Sequence, residues 1–258
     1  MNWHLPKDKD PYEQHVDAAG LEALLKKTVK GEVRFDTGSR ALYATDASNW
    51  RHVPIGVVVP RDADDVIATL KASHQYGAPI VSRGGGTGLC GQTTNVAIVM
   101  DHSKYFTNIL ELNAEEKWAR VQPGVILDEL RDKAEKHHLT YGPDPATHTH
   151  CTLGGMIGNN SCGVHSIMAG KTVDNIITMD VVTYDGIRLT VGETTEEELT
   201  EFCSRKDRVG EIYRAMRDIR DSSSANIKAI YPDIPRRVSG YNLDQLLPKN
   251  KFNVARAL

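Results

Sequence analysis

The chain has 258 residues, 40% of them hydrophobic and 25% charged, which is enough for one large core or two modest ones without covalent staples. Thirty-one Lys and Arg against 34 Asp and Glu leave a net charge of -3, and no stretch gathers basic residues with interleaved aromatics, so nucleic acid is not an expected partner. Four scattered cysteines, Cys90, Cys151, Cys162 and Cys203, contain no C-x-x-C pair and fit a reducing, cytoplasmic compartment better than a disulfide framework.

The opening "MNWHLPKDKDPYEQH" lacks the apolar core of a signal peptide, and no later apolar run approaches the ~18 residues that span a bilayer. Peripheral docking at a membrane through the full-length protein stays open. Leu21, Leu24, Leu25 and Val29 recur at helical spacing and predict a first helix over 17–30 behind an Asp cap. "GVVVP", from Gly56, reads as a short buried strand. A helix then begins among acidic residues, carries Val66, Ile67 and Leu70 on one face and stops at Gly77. "APIVS" forms the next strand and delivers the chain into "RGGGTGLCGQTT", after which "NVAIVMD" returns to β-branched strand composition. Strands are expected at 109–112 and 118–122, followed by a helix over 125–137.

From Tyr141 to Asn175 the sequence is rich in glycine, proline and asparagine and shows no clear period. A loop this long inside a compact domain is usually functional or disordered, and its apolar and cysteine content argues against disorder. It reads as a second binding segment. Asp185-Gly186 marks a hairpin, and helices are expected over 195–203 and 209–230, the second with Ile212, Met216 and Ile219 on one side. The last stretch shows no closing helix or polar tail and reads as the end of a fragment.

The glycine loop cannot be a phosphate-binding P-loop, because no Lys stands at the required spacing. A Rossmann turn needs a helix directly after the glycines, and "LCGQTTNVAIVMD" does not supply one. Three successive glycines instead allow neighbouring N–H groups to converge into an anion-binding nest. Thr87 can donate its hydroxyl there, while Arg83 is expected to brace the loop through carbonyls.

Three separated motifs together resemble the FAD-binding domain of the vanillyl-alcohol oxidase and p-cresol methylhydroxylase superfamily, in its FAD-linked 2-hydroxy-acid oxidase branch. "PIVSRGGGTGLCGQ" looks like that family's pyrophosphate loop, "GPDPATHTHCTLGGMIGNNSCG" is similar to its second FAD segment, and "AGKTVDNIITMDVVTYDG" is similar to the stretch at the adenine end. The implied fold is α+β: a PCMH-type FAD-binding domain of two α/β subdomains with FAD in the cleft between them. A helical lead-in would occupy 1–36, the first subdomain 37–104 with its pyrophosphate loop at 82–92, and the second subdomain 105–258, a larger mixed sheet with flanking helices. The substrate domain, and any iron–sulfur domain, would lie outside this chain.

By that resemblance, Ser82, Arg83, Gly84, Gly85, Gly86, Thr87, Gly88 and Gln92 belong to the pyrophosphate loop. Pro143, Asp144 and Thr147 form the neighbouring turn. Gly154, Gly155, Gly158, Asn159, Cys162 and Gly163 line the flavin and ribityl chain, where small residues let a planar ring lie against backbone. Ile177 gives backbone contacts to adenine. Thr87 stands where some members carry a flavin-tethering histidine, so the FAD is expected to be noncovalent, and Cys162 reads as a small buried thiol rather than a tether. His148, His150 and His165 lack a further ligand at fixed distance, so no metal site is assigned.

The chemistry implied by the resemblance is oxidation of a D-2-hydroxy acid of the D-lactate, glycolate or D-2-hydroxyglutarate type, with hydride passing from the α-carbon to flavin N5. The substrate would be held by the missing domain, and the electron acceptor would be a quinone, a cytochrome or an electron-transfer protein. No general base is assigned within this chain. Two other readings compete: a flavin reductase acting on a nucleotide-sugar enol ether, and a non-catalytic nucleotide-binding module. "RRVSGYNLDQLLP" and the G-P-D-P turn favour the hydroxy-acid branch.

Overall fold

A computed structural model describes residues 16–232, 234–237 and 240–258. The N-terminal stretch inspected for a leader therefore lies outside the described residues, as do two positions within "RRVSGYNLDQLLP", Val238 and Ser239. The chain divides into two compact units, 1–107 and 108–258.

In the first unit, helix α1 (Ala18–Thr28) starts at Asp17, whose carboxylate accepts the Gly20 N–H, and buries Leu21 and Leu25 completely. Strand β1 (Glu32–Arg34) and the short helix α2 (Thr37–Leu42), capped by Asp36, follow without having been foreseen. Next come β2 (Gly56–Val59), α3 (Ala63–Gln75), β3 (Ile80–Arg83) and β4 (Ile98–Asp101). The sheet order is β1-β2-β4-β3, with β2, β4 and β3 parallel and β1 antiparallel at one edge. Central strands β2 and β4 are buried along their whole length, which explains their unbroken β-branched runs. Val58 and Ile98 pack with Leu21, Leu25 and Ala72, whereas Val57, Val59 and Val99 face the opposite layer with Tyr43 and Tyr105.

Asp65, fully buried in the first turn of α3, accepts the backbone N–H groups of Lys30, Gly31 and Arg61 at 2.8–2.9 Å. One carboxylate thus ties α1, β1 and α3 together. Gly77 ends α3 at φ +65°, as the glycine stop predicts.

The second unit opens with the antiparallel pair β5 (Ile109–Asn113) and β6 (Trp118–Val121), then α4 (Leu127–Glu135). The long glycine-rich segment is not unstructured: it contains α5 (Leu153–Gly158), α6 (Ser166–Ala169) and a 3-10 turn at Thr172–Asn175. The hairpin of β7 (Met179–Val182) and β8 (Arg188–Val191) turns at Gly186, φ +82°. In place of the larger mixed sheet, the described residues hold two separate antiparallel pairs, bridged by the 3.6 Å Arg120–Asp180 ion pair. The mixed sheet belongs to the first unit.

Helix α7 (Glu196–Ser204) begins with a reciprocal Thr195/Glu198 capping box, and α8 (Arg208–Ile230) buries Tyr213, Arg220 and Ile227. Ile219 is 44% exposed and does not belong to the inner face, because Tyr213 and Arg220 set that face instead. Tyr213 stacks on Phe202 at 4.3 Å, and the Arg220 guanidinium lies over Phe252. The expectation of no closing helix is also corrected. Two 3-10 turns, Leu243–Leu246 and Pro248–Asn250, lead to α9 (Val254–Ala257). Its Val254, Ala255 and Ala257 are core residues packed with Phe252, Leu199 and Val191. Four residues are too few to display a helical period, so only their apolar character was visible in the sequence.

Candidate functional site

In the first unit the glycine loop leaves the C-terminal end of β3 and returns to the start of β4 with no helix between them. The Rossmann and P-loop geometries are therefore both absent. Open α/β sheets bind ligands outside the carboxyl ends of their strands, which is where Gly84 to Gly88 lie. Gly86 has φ +63° and Gly91 φ +76°, conformations that favour glycine.

The loop is held by the segment Tyr43–Trp50. Arg83 Nη1 donates to Thr45 O at 2.8 Å while its guanidinium sits 5.3 Å from the Tyr43 ring centroid, so Arg83 does brace the loop. The Ala47 N–H donates to Gly86 O, and Thr93 Oγ1 donates to Asp46 Oδ2 at 2.8 Å. Burial pushes the Asp46 carboxyl up, but donors on Ser48 and Thr93 more than offset this and hold it below its ordinary range. Trp50 packs against Gly91, where a Cβ would come within 2.5 Å of the indole, and Gln92 folds over Gly88 in the same way. The side chain of Tyr43 donates to Asp101 at the end of β4, and burial and that bond raise its phenol well above the usual value. Apart from Arg83, none of this brace was identified in the sequence. The local signal was "YATDASNW", where Asp46 accepts from Ser48 N in an Asx turn.

In the second unit Thr152 caps α5, with the Gly155 N–H donating to Thr152 Oγ1. Gly154 N–H donates to Pro123 O at 2.8 Å, and a Cβ on Gly154 would meet the Pro123 ring at 2.6 Å. Gly163 is tighter still: a Cβ there would lie 2.0 Å from Asp144 O. Gly158 differs from both, since a Cβ there meets nothing within 4 Å and its φ is not positive. The fold itself gives no reason for glycine at that exposed position; close approach of a flat ligand would.

Asp144 is oriented by His165, whose backbone N–H donates to Oδ1 at 2.9 Å and whose Nδ1 lies 2.5 Å from Oδ2. Burial raises the Asp144 carboxyl, but the bonds from His165 and the Arg131 charge outweigh it and lower its pKa. Pro143 is buried, and Thr147 O accepts the N–H groups of His150 and Cys151. Asn159, at the end of α5, donates its N–H to Gly155 O. Cys162 is partly exposed, not buried as expected, because its thiol lies at the unit's surface with Arg236 Nε 3.1 Å away. Next to it, Val164, Ile167 and Met168 are 80–94% exposed, an apolar edge that the aperiodic reading of this segment left unrecognised. Ile177 is exposed as well.

A cavity of about 220 Å³ opens at the end of α5, lined by Ile157, Gly158, Asn159, Val173, Ile176 and Tyr241 among others. Its size suits a single ring system rather than a whole dinucleotide. Among the described residues no three His, Cys, Asp or Glu side chains form a group able to hold a metal ion, and no helix is long and apolar enough to cross a membrane.

Residues 54–192, more than half of the chain, match the family model described as an FAD binding domain. The chain is 36% identical over 242 residues to D-2-hydroxyglutarate dehydrogenase of Pseudomonas putida, covering 92% of this chain and 24% of that protein. It is 36% identical over 183 residues to glycolate oxidase subunit GlcD of Escherichia coli, covering 69% of this chain and 36% of that one. The chain thus spans about a quarter of the length of the D-2-hydroxyglutarate dehydrogenases it matches. Among solved structures, alkyldihydroxyacetonephosphate synthase shares the fold with a TM-score of 0.60 and 22% identity, over 66% of this chain and 35% of that one. At that identity the likeness is one of fold.

Proposed function

This chain belongs to the FAD binding domain family, and from that premise we propose that it holds FAD noncovalently as the flavin-carrying part of a D-2-hydroxy-acid dehydrogenase. The observation that carries the reading is the placement of the glycine loop beyond the C-terminal end of β3, with Gly86 O held by the Ala47 N–H, the Arg83 and Thr93 side chains held by Thr45 O and Asp46, and its own N–H groups uncommitted to a helix. In the first unit, Ser82 through Gly88 and Gln92 are the residues proposed to contact the diphosphate. In the second unit, Gly154, Gly155, Gly158, Asn159, Cys162 and Gly163 are proposed to contact the flavin, Pro143, Asp144 and Thr147 to form the supporting turn, and Ile177 to contact the adenine. Noncovalent binding follows from Thr87, an aliphatic hydroxyl at the position where a tether would need a more nucleophilic side chain.

The hydroxy-acid class rests on the relatives, two groups of which carry hydroxy-acid names and cover most of this chain. When bound, FAD supplies the electron sink for oxidising a carbon bearing a hydroxyl group. The chain's own residues bind and orient: Gly154 lets α5 pack against Pro123, Gly163 lets the chain pass against the backbone of Asp144, and Gly158 leaves one face open. Recognition of the acid and transfer of electrons to an acceptor are assigned to the portion of a longer protein that this chain does not include. The test is an absorption spectrum of the purified chain after incubation with FAD and desalting. Flavin bands that stay with the protein and are released by denaturation are the expected result; a colourless protein contradicts it.

A further inference from the structure

The strap Thr45–Asp46–Ala47 meets the glycine loop of the first unit at its start, its middle and its end. Thr45 O accepts from Arg83 Nη1 at 2.8 Å where the loop begins, the Ala47 N–H donates to Gly86 O at 3.0 Å, and Asp46 Oδ2 accepts from Thr93 Oγ1 at 2.8 Å where the loop closes. Gly86, one of the two left-handed positions, is itself a point of attachment, and Gly91, the other, lies just before the last. Among the described residues the N–H groups from Gly84 to Leu89 donate to no protein acceptor, and only with Cys90, which gives its N–H to Gln92 Oε1, does the backbone find a partner again.

A glycine-rich loop has many backbone states, so bringing its N–H groups into one concave arrangement costs conformational entropy. Contacts made before a ligand arrives lower that cost at binding. Thr45 and Ala47 act through backbone atoms, whereas Asp46 acts through its carboxylate, which substitution can alter. Both of its oxygens are engaged within the protein, Oδ1 by the Ser48 N–H at 2.8 Å and Oδ2 by the Thr93 hydroxyl. A carboxylate facing a diphosphate would repel it, so contact with the ligand is not its role. Holding Thr93 is.

We infer that Asp46 is a positioning residue for the diphosphate of FAD: by fixing Thr93 it closes the glycine loop with the N–H groups of Gly84 to Leu89 already converged. The inference rests on the proposed FAD site and names what preorganises it. The experiment measures FAD dissociation constants by quenching of flavin fluorescence in the wild-type chain and in variants of the pair. Asp46→Ala and Thr93→Val should each weaken binding about tenfold, the size of one hydrogen bond to a charged group. The double variant should lose no more than either alone, because both changes remove the same contact. Asp46→Asn should stay within about twofold of wild type, since its amide oxygen still accepts from Ser48 and its NH2 can donate to Thr93 Oγ1. That rescue separates positioning from charge. Thr93→Ser, which keeps the hydroxyl, should also bind as wild type does, and its contrast with Thr93→Val repeats the test without touching Asp46. Additive losses in the double variant, wild-type affinity in Thr93→Val or a tenfold loss in Asp46→Asn overturns the inference and leaves the FAD reading standing. Failure of the wild-type chain to bind FAD overturns both.

Discussion

The loop of the first unit and the segment of the second are both glycine-rich, yet they use glycine for different physical ends. In the first, Gly86 and Gly91 take left-handed backbone angles, and the loop is held from outside by side chains and carbonyls of the Tyr43–Trp50 stretch. In the second, Gly154 and Gly163 are needed because two pieces of backbone meet with no room for a methyl group. Gly158 fits neither pattern. The comparison teaches that a glycine is a functional signal only after turn geometry and packing have been subtracted, and the subtraction leaves one position in α5.

Gly163→Ala tests the packing half of the comparison and has the largest expected effect. Its Cβ would sit 2.0 Å from a backbone oxygen, which cannot rotate away. A loss of about 3 kcal/mol, at the upper end of the cost of forced overpacking, should appear in denaturant unfolding. A loss below ~1 kcal/mol would mean that the 142–145 turn is free to move and that the second segment is not rigid.

Acid sharpens the contrast from the other side. Glu32, at the sheet edge of the first unit, is held at a pKa of about 2 by bonds from Lys104, Tyr105 and Arg34. Its folded pKa lies below the unfolded value of roughly 4.3. The stabilisation it gives is therefore complete above that value and lost as pH falls through about 2. Thermal unfolding followed from pH 6 to pH 2.5 should show this decline in wild-type protein and a shallower one in Glu32→Gln, which starts lower. Equal slopes would remove Glu32 from the account.

Much of this was legible before any coordinates. The buried strands "GVVVP" and "NVAIVMD", the cap at Asp17, the acidic start of α3 and the Gly77 stop all carry local signals, and each element lies where its signal predicts within a few residues. Exclusion of the Rossmann and P-loop geometries was also readable, because both demand a specific successor to the glycines. What was not legible was long-range or very short. Asp46–Thr93 spans 47 residues and Asp144–His165 spans 21, and no periodicity records such pairs. Helices α5, α6 and α9 have four to six residues, fewer than two turns, so their apolar faces cannot repeat. Cys162 was misjudged because its exposure depends on what covers it, which only the fold decides.

The smallest stability effect belongs to Gly158, the position on which the proposed site leans most. Gly158→Leu places a side chain where a Cβ meets nothing within 4 Å, at an exposed end of α5, so unfolding free energy should change by no more than ~0.5 kcal/mol. If the open face of Gly158 receives the flavin, the same substitution should weaken FAD binding at least tenfold, about 1.4 kcal/mol, measured by fluorescence titration against the wild-type chain. Stability kept and affinity lost is the predicted result. Affinity kept, with the protein equally stable, would contradict the central claim that the second segment holds the cofactor through this glycine.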